Sequence, residues 1–294
     1  MNKWKGKSKG NILGYKIFVW CIKNIGVRSS YFVLYFVATY YFLFEKKSNL
    51  YISYYFKKRL NFAGWKAIRS VYKSYFTFGQ VLIDKTAISA GLREKYTYEF
   101  DGIDILRQLL AEKKGGVLIS AHIGNFEVAE HFFADIDFDC QISLVTTDQE
   151  VTVIKEYLES ISVKKSNMKF IYVKDDMSHI FEINEALSNN ELICFTGDRY
   201  FEGSKFLEAD LLGQSAKFPA GPFLIASRLN VPVVYVYVMK EKNLHYHLYA
   251  RRAENVKKRD AQGLLHSYTQ NLESMIEKYP LQWFNYFDFW DDLD

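Results

Sequence analysis

Val117-Leu118-Ile119-Ser120-Ala121-His122-Ile123-Gly124-Asn125-Phe126-Glu127 decides how this chain is read. The first four residues form an uninterrupted apolar run closing on Ser120, the pattern of a short strand buried on both faces. A tight turn over Ala121 to Gly124 follows, and a helix is predicted from Asn125 through Phe133. Gly124 supplies a permissive backbone and Asn125 a good helix N-cap. His122 and Glu127 are five residues apart, which on one continuous helix sets them about 140° apart in azimuth. They can meet only if His122 lies in the turn before the helix. Glu127 then falls in the first helical turn, where the helix dipole favours its ionised form. An imidazole held by a carboxylate is the arrangement a general base needs. A His and a Glu at this spacing also arise by accident, so the rest of the chain has to carry weight.

Beyond about Tyr96 the pattern alternates. Strands are predicted at Gly116 to Ser120, Gln141 to Thr147, Lys169 to Val173, Leu192 to Thr196, Val231 to Val238 and Leu244 to Ala250. Helices are predicted at Asp104 to Glu112, Asn125 to Phe133, Val151 to Ser160, Met177 to Ser188, Pro219 to Leu229 and Ala261 to Lys278. This alternation means an α/β fold with a mostly parallel central sheet covered by helices. Ligands of such sheets sit beyond the carboxyl ends of the strands. His122, the pair Asp198 and Arg199, and Lys240 all follow predicted strand ends and can share one rim.

Thr196-Gly197-Asp198-Arg199 forms the second polar cluster. Asp198 and Arg199 either pair with loop groups, or Arg199 binds an anionic part of a substrate while Asp198 orients it. The third cluster, Lys217-Phe218-Pro219-Ala220-Gly221-Pro222-Phe223, is read as a helix opening. A proline suits a first helical turn, whose N–H groups can serve a phosphate or an oxyanion; ordinary helix punctuation reads the same way.

Charge is split along the 294 residues. Residues 1–73 hold 15 Lys or Arg and one acid, a net +14, against 23 basic and 33 acidic residues, a net −10, in the remainder. The basic quarter is also strongly aromatic, with Tyr31 to Phe44 an unbroken run of aromatic and aliphatic residues apart from Thr39. That run of 14 residues is shorter than the ~20 a spanning helix needs, and it starts too late for a cleaved signal peptide. Ile12 to Ile25 and Tyr31 to Phe44 therefore suit a shallow helical hairpin or a segment lying in the interface of an anionic membrane, lysines on the headgroups, with a core helix of the main domain as the plain alternative. Tyr51 to Leu92 continues helically with Lys57, Lys58, Arg59, Lys66, Arg69 and Lys73 among its aromatics. The apolar density is too high for a solvated nucleic-acid groove, so no nucleic-acid partner is expected. The division expected is a membrane-associating segment over 1–73 and a catalytic α/β domain over 74–294. Cys21, Cys140 and Cys194 form no Cys-x-x-Cys pair, which fits a reducing compartment and indicates neither a disulfide framework nor a structural zinc.

His122-Ile123-Gly124-Asn125-Phe126-Glu127, the turn Gly197-Asp198-Arg199, and Phe218-Pro219-Ala220-Gly221-Pro222 followed by Ala226-Ser227-Arg228 and Val231-Pro232-Val233-Val234 resemble the late (lauroyl/myristoyl) acyltransferases of lipid A biosynthesis, within the lysophospholipid acyltransferase group. Trp4-Lys5-Gly6-Lys7-Ser8-Lys9-Gly10 and Trp283-Phe284-Asn285-Tyr286-Phe287-Asp288-Phe289-Trp290 are also similar, so the likeness runs over nearly the whole chain. The resemblance implies acyl transfer from a thioester of acyl carrier protein or coenzyme A to a lipid acceptor, at the cytoplasmic face of the bacterial inner membrane. It implies His122 as general base, Glu127 as its orienting partner and Asp198 as part of the site. Asn125, Arg199, Lys217, Pro219 and Gly221 are the expected substrate-binding positions. The family usually carries an Arg-containing block between its first two motifs, and Leu144 to Lys164 holds no Arg, which leaves an amino-acid lipid or another glycolipid open as acceptor.

Direct attack on the thioester is expected, because Ser120 lies in no Gly-x-Ser-x-Gly elbow. No cofactor and no metal are expected. Two rivals stand beside this reading. A metallohydrolase would use His122, Glu127 and His131, although neither His-x-x-x-His nor His-Glu-x-x-His occurs. A catalytically silent lipid-binding protein would keep the fold without turnover. Trp283 and Trp290 are candidates for walls of an acyl channel, though core packing is the commoner job for such rings.

Overall fold

The computed structural model describes residues 12–133, 140–146, 168–174, 176–200, 203–229, 231–254 and 257–293. The predicted helix over Val151 to Ser160 and most of the Arg-free block lie outside them.

Four helices come first: α1 (Ile12–Asn24), α2 (Val27–Phe44), α3 (Lys46–Tyr54), continued by a π-turn over Tyr55–Arg59, and α4 (Gly64–Ala87), with a second π-turn over Ile88–Leu92. The 73/74 division falls inside α4, whose residues pack on both sides of that point. α2 and α4 pack closely because Gly79 has no Cβ; one built there would overlap the Leu34 side chain. No helix among the described residues is long and apolar enough to cross a membrane.

The α/β region follows as β1 (Thr97–Asp101), α5 (Ile103–Ala111), β2 (Gly116–Ser120), a 3-10 turn over Phe126–Val128 leading into α6 (Ala129–Phe133), β3 (Ile142–Thr146), β4 (Lys169–Tyr172), α7 (His179–Ser188), β5 (Leu192–Thr196), β6 (Phe206–Leu211), β7 (Gln214–Pro219), α8 (Ala220–Arg228), β8 (Val233–Lys240), β9 (His245–Arg252) and α9 (Ala261–Lys278). Seven strands form one sheet in the order β1-β9-β8-β2-β5-β3-β4, parallel throughout except at the β8–β9 pair. The α/β, mostly parallel architecture is therefore as expected.

Alternation within the strands explains why their sequences are apolar at every position. Val117, Ile119, Ile193, Phe195, Tyr235 and Tyr237 point into one core, against α7, α8 and α9. Leu118, Leu192, Cys194, Val234 and Val238 point into the other, against α5, α6 and residues of α1, α2 and α4. A strand covered on both faces has no solvent side on which to place polar residues.

Two elements depart from the expectation. β1 is an edge strand with alternating exposure, and its Thr-Tyr-Glu-Phe-Asp composition carries a weak apolar signal. Lys217 and Phe218 do not open a helix: they belong to β7, which pairs antiparallel with β6 in a separate hairpin. Its turn residues Leu212 and Gly213 both have positive φ, at 53° and 76°, the backbone of a tight hairpin turn without the Asn-Gly pair that usually marks one. The helix starts one step later, with Pro219 as its extended N-cap residue.

Candidate active site

β2, β5 and β8 run in the same direction side by side, so their carboxyl ends lie on one rim. Ser120 is paired with Thr196 at the ends of β2 and β5, and each chain needs two more residues to reach His122 and Asp198. Gly197 N–H donates to the Ser120 carbonyl at 2.9 Å, carrying the ladder one step past the strands. His122 and Asp198 are thus brought together by sheet register, although 76 residues separate them.

His122 Nδ1 lies 2.7 Å from Asp198 Oδ1. The backbone N–H of His122 also donates to both oxygens of the same carboxylate at 3.1 Å. Asp198 Oδ2 accepts from Trp283 Nε1 at 3.2 Å and from Asn285 Nδ2 at 3.1 Å. Asp198 is fully buried. Burial alone raises its carboxyl, but the charge and hydrogen bonds of His122, with Arg199 beyond, overcome that and hold it well below the usual carboxylate range. Burial and then the Arg199 charge lower the His122 imidazole, against the opposing pull of Asp198 and Glu127. At neutral pH the pair is an ionised Asp198 accepting from a neutral ring protonated at Nδ1, which makes Nε2 the basic nitrogen.

The turn that presents His122 is clamped from two sides. Asn125 N–H donates to Val238 O of β8 at 2.7 Å, and Gly124 N–H to Gln282 O at 2.9 Å. On the C-terminal segment, Phe284 N–H donates to His122 O at 2.9 Å. Gly124 has φ +63°, and a Cβ there would run into the Val238 carbonyl. The glycine is a requirement of the close approach, not merely of the turn.

Other predicted positions take different places. Glu127 was expected to orient His122; Nδ1 is held by Asp198 instead, because β5 is the immediate neighbour of β2. The Glu127 carboxylate, partly exposed, forms an ion pair with Lys85 of α4. Asn125 occupies an N-cap position but its side chain makes no capping bond. Its buried amide donates to Val81 O at 3.2 Å and to Tyr246 Oη at 3.3 Å, tying the turn to α4 and β9. Arg199 turns towards the C-terminal segment, donating from Nε to Asn285 Oδ1 at 2.7 Å and from Nη2 to Phe284 O at 2.6 Å. Lys217 pairs with Asp291 at 2.8 Å. Pro219 and Gly221 stand at the opening of α8, where space around Gly221 is open. Lys240, the third rim residue, is buried against Asp84 at 2.6 Å, and Asp84 also accepts from Tyr31, Tyr96 and Tyr246. Among the described residues no group of three or more His, Cys, Asp and Glu is placed to hold a metal ion.

A model of the bacterial lipid A biosynthesis acyltransferases matches residues 15–290, nearly the whole chain. The chain belongs to that family. For an acyltransferase of this kind, His122 and Asp198 at the strand ends are the only His–carboxylate pair, among the described residues, with its carboxylate fully buried. The matched span also takes in the C-terminal segment that holds this acyltransferase's Asp198 in place, so the donors from Trp283 and Asn285 lie within the family region. No curated protein matches the chain.

Proposed function

We propose that this acyltransferase moves a fatty acyl group from a thioester, of acyl carrier protein or coenzyme A, onto a hydroxyl or amine of a lipid acceptor. The observation that carries the reading is the bond between His122 Nδ1 and the buried, ionised Asp198. It fixes the tautomer in which Nε2 accepts a proton. Nε2 takes the acceptor proton as the acceptor oxygen or nitrogen attacks the thioester carbonyl. The tetrahedral intermediate collapses with breakage of the C–S bond, and the imidazolium returns the proton to the departing thiolate. An acylated acceptor and a free thiol result, with no covalent enzyme intermediate. Glu127, close enough to favour the charged imidazole, stabilises the imidazolium formed in the middle of the sequence. The first turn of α8 is our source of oxyanion donors. Ala220 N–H is already given to Lys205 O and Pro222 has none, which points to the backbone around Gly221.

The acceptor we favour is a lipid A precursor, in keeping with the family. The absence of Arg from Leu144 to Lys164 is the specific reason to keep an amino-acid lipid or another glycolipid as the second reading. We further propose that the protein works on the cytoplasmic face of the inner membrane. Trp20, Phe32, Phe36, Tyr40, Phe44 and Trp65 are all exposed on the N-terminal helices, with Trp65 82% accessible. Exposed rings on α2, where Phe32 meets Phe36 and Tyr40 meets Phe44, together with exposed Lys16, Lys23, Lys46, Lys47 and Lys66 on the neighbouring helices, suit a surface that sits in an anionic lipid interface. The same basic residues can receive an acidic carrier protein.

Purified protein incubated with an acyl thioester and the total lipid extract of a strain lacking the gene tests the reading. A lipid that gains one acyl mass with the wild type and not with His122→Ala is the expected result. Equal acylation by both proteins would exclude His122 as the base.

A further inference from the structure

Arg199 and Asn285 stand behind Asp198 in a chain of hydrogen bonds. The Asn285 amide lies between a group that can only donate and one that can only accept. Its Oδ1 takes the Arg199 Nε–H at 2.7 Å, and its Nδ2 gives a proton to Asp198 Oδ2 at 3.1 Å. Guanidinium has no acceptor and an ionised carboxylate no donor, so only one orientation of the amide satisfies both neighbours. Arg199 thereby sets which way the amide faces. Its Nη2 donates to Phe284 O at 2.6 Å, while Phe284 N–H donates to His122 O at 2.9 Å. The contacts close a loop that leaves His122 through its carbonyl and returns to it at Nδ1. Asn285 is buried, where an amide with a missing partner is costly.

We propose that Arg199 and Asn285 are positioning residues for acyl transfer, acting on His122 through Asp198. The inference rests on His122 being the general base. Arg199, expected from the sequence to meet an anionic substrate, gives Nε and Nη2 to the C-terminal segment. Its charge lies close enough to His122 to disfavour the imidazolium, adding to the effect of burial. The segment Trp283 to Asn285 is therefore a working part of the site, although it lies more than 80 residues from Asp198.

The test is NMR of the full-length protein labelled with ¹⁵N-histidine, with the His122 signals assigned by their absence from His122→Gln. Ring-nitrogen shifts report tautomer and titration without any substrate. In the wild type His122 is expected as the Nδ1–H form across neutral pH. Asn285→Asp keeps the shape but sets a second carboxylate against Asp198, and Arg199→Gln removes the charge while keeping amide donors. Both are expected to move the His122 titration upward, and Asn285→Asp also to weaken the Nδ1–H form. In-cell product is expected to fall about ten- to a hundredfold, the loss of one hydrogen bond to a charged group. Arg199→Lys, which restores the charge, is expected to bring the titration back towards wild type, and it carries the test if Asn285→Asp does not fold. Unchanged His122 titration and tautomer in folded Arg199→Gln would overturn the inference. If His122→Ala were active while the NMR shifts moved as expected, the general-base reading would fail and the positioning geometry would stand.

Discussion

Replacing Asp198 with Asn separates orientation of His122 from mere occupancy of the space beside it. Four donors converge on the carboxylate: His122 N–H, His122 Nδ1–H, Trp283 Nε1–H and Asn285 Nδ2–H. An amide has one acceptor oxygen, so its NH₂ must face one side. Facing Trp283 and Asn285, it leaves two buried donors without an acceptor, at ~1–3 kcal/mol each. Facing His122, it donates to Nδ1, provided the ring moves its proton to Nε2. The second arrangement is favoured by roughly 2–6 kcal/mol, which is about thirty- to ten-thousandfold at ~1.4 kcal/mol per factor of ten. In that state Nε2 carries a proton and cannot act as a base. Turnover is thus expected to fall by about that factor, while the melting temperature drops by only a few degrees because the donors keep partners. The assay pairs thioester-dependent acylation with a thermal melt and the ¹⁵N shifts of His122. Turnover within tenfold of wild type, with the ring still protonated at Nδ1, would refute the argument.

Four further outcomes follow from the structure. Because His122 is lowered by burial and Arg199, its active, neutral form persists below the ordinary value of about 6.5, so the acid limb of kcat/KM is expected below that pH; a midpoint above 7 would contradict it. Asp198 has its native value depressed, so its stabilisation is full above about pH 4, the unfolded value, and is lost as pH falls towards the native one; denaturant melts against pH for wild type and Asp198→Asn should converge only in strong acid. Lys240→Met leaves the Asp84 carboxylate buried beside three tyrosines without its cation; the expected cost is about 3–5 kcal/mol, or roughly 5–8 °C in melting temperature for a chain this long, and Asp84→Leu in the same protein should restore part of it. Phe36→Ser with Trp65→Ser should reduce flotation with anionic vesicles while leaving the melt unchanged, and equal flotation would remove these rings from the membrane-facing surface.

What was legible in the sequence follows from how local each signal is. β2, β5 and α9 are found at their expected limits, because continuous apolar runs and a helical period are local patterns. The turn after β2 was equally legible, since Gly124 and the strand before it are adjacent in the chain. Partnership across the sheet was not. Glu127, near in sequence, was the natural partner for His122, whereas Asp198 reaches Nδ1 only because β5 inserts next to β2. Trp283 reads in the sequence as a large ring, but nothing local marks its N–H as a donor to Asp198. The same holds for Asn285, and for Asp84, whose four partners come from α2, the segment before β1, β8 and β9. The β6–β7 hairpin was hidden by a Leu-Gly turn and by Pro219, a residue that signals a helix start and here also closes a strand.

Acyl transfer by this family member is proposed to depend on His122 held by Asp198. The measurement that meets this dependence most directly is a mass spectrometric comparison of whole-cell lipids from four strains: gene deleted, restored, restored as His122→Ala, and restored as Asp198→Asn. One lipid class lighter by a single acyl chain is expected in the deletion and in both variant strains, and the full-mass lipid only in the restored strain. A full-mass lipid in the His122→Ala strain would contradict the dependence.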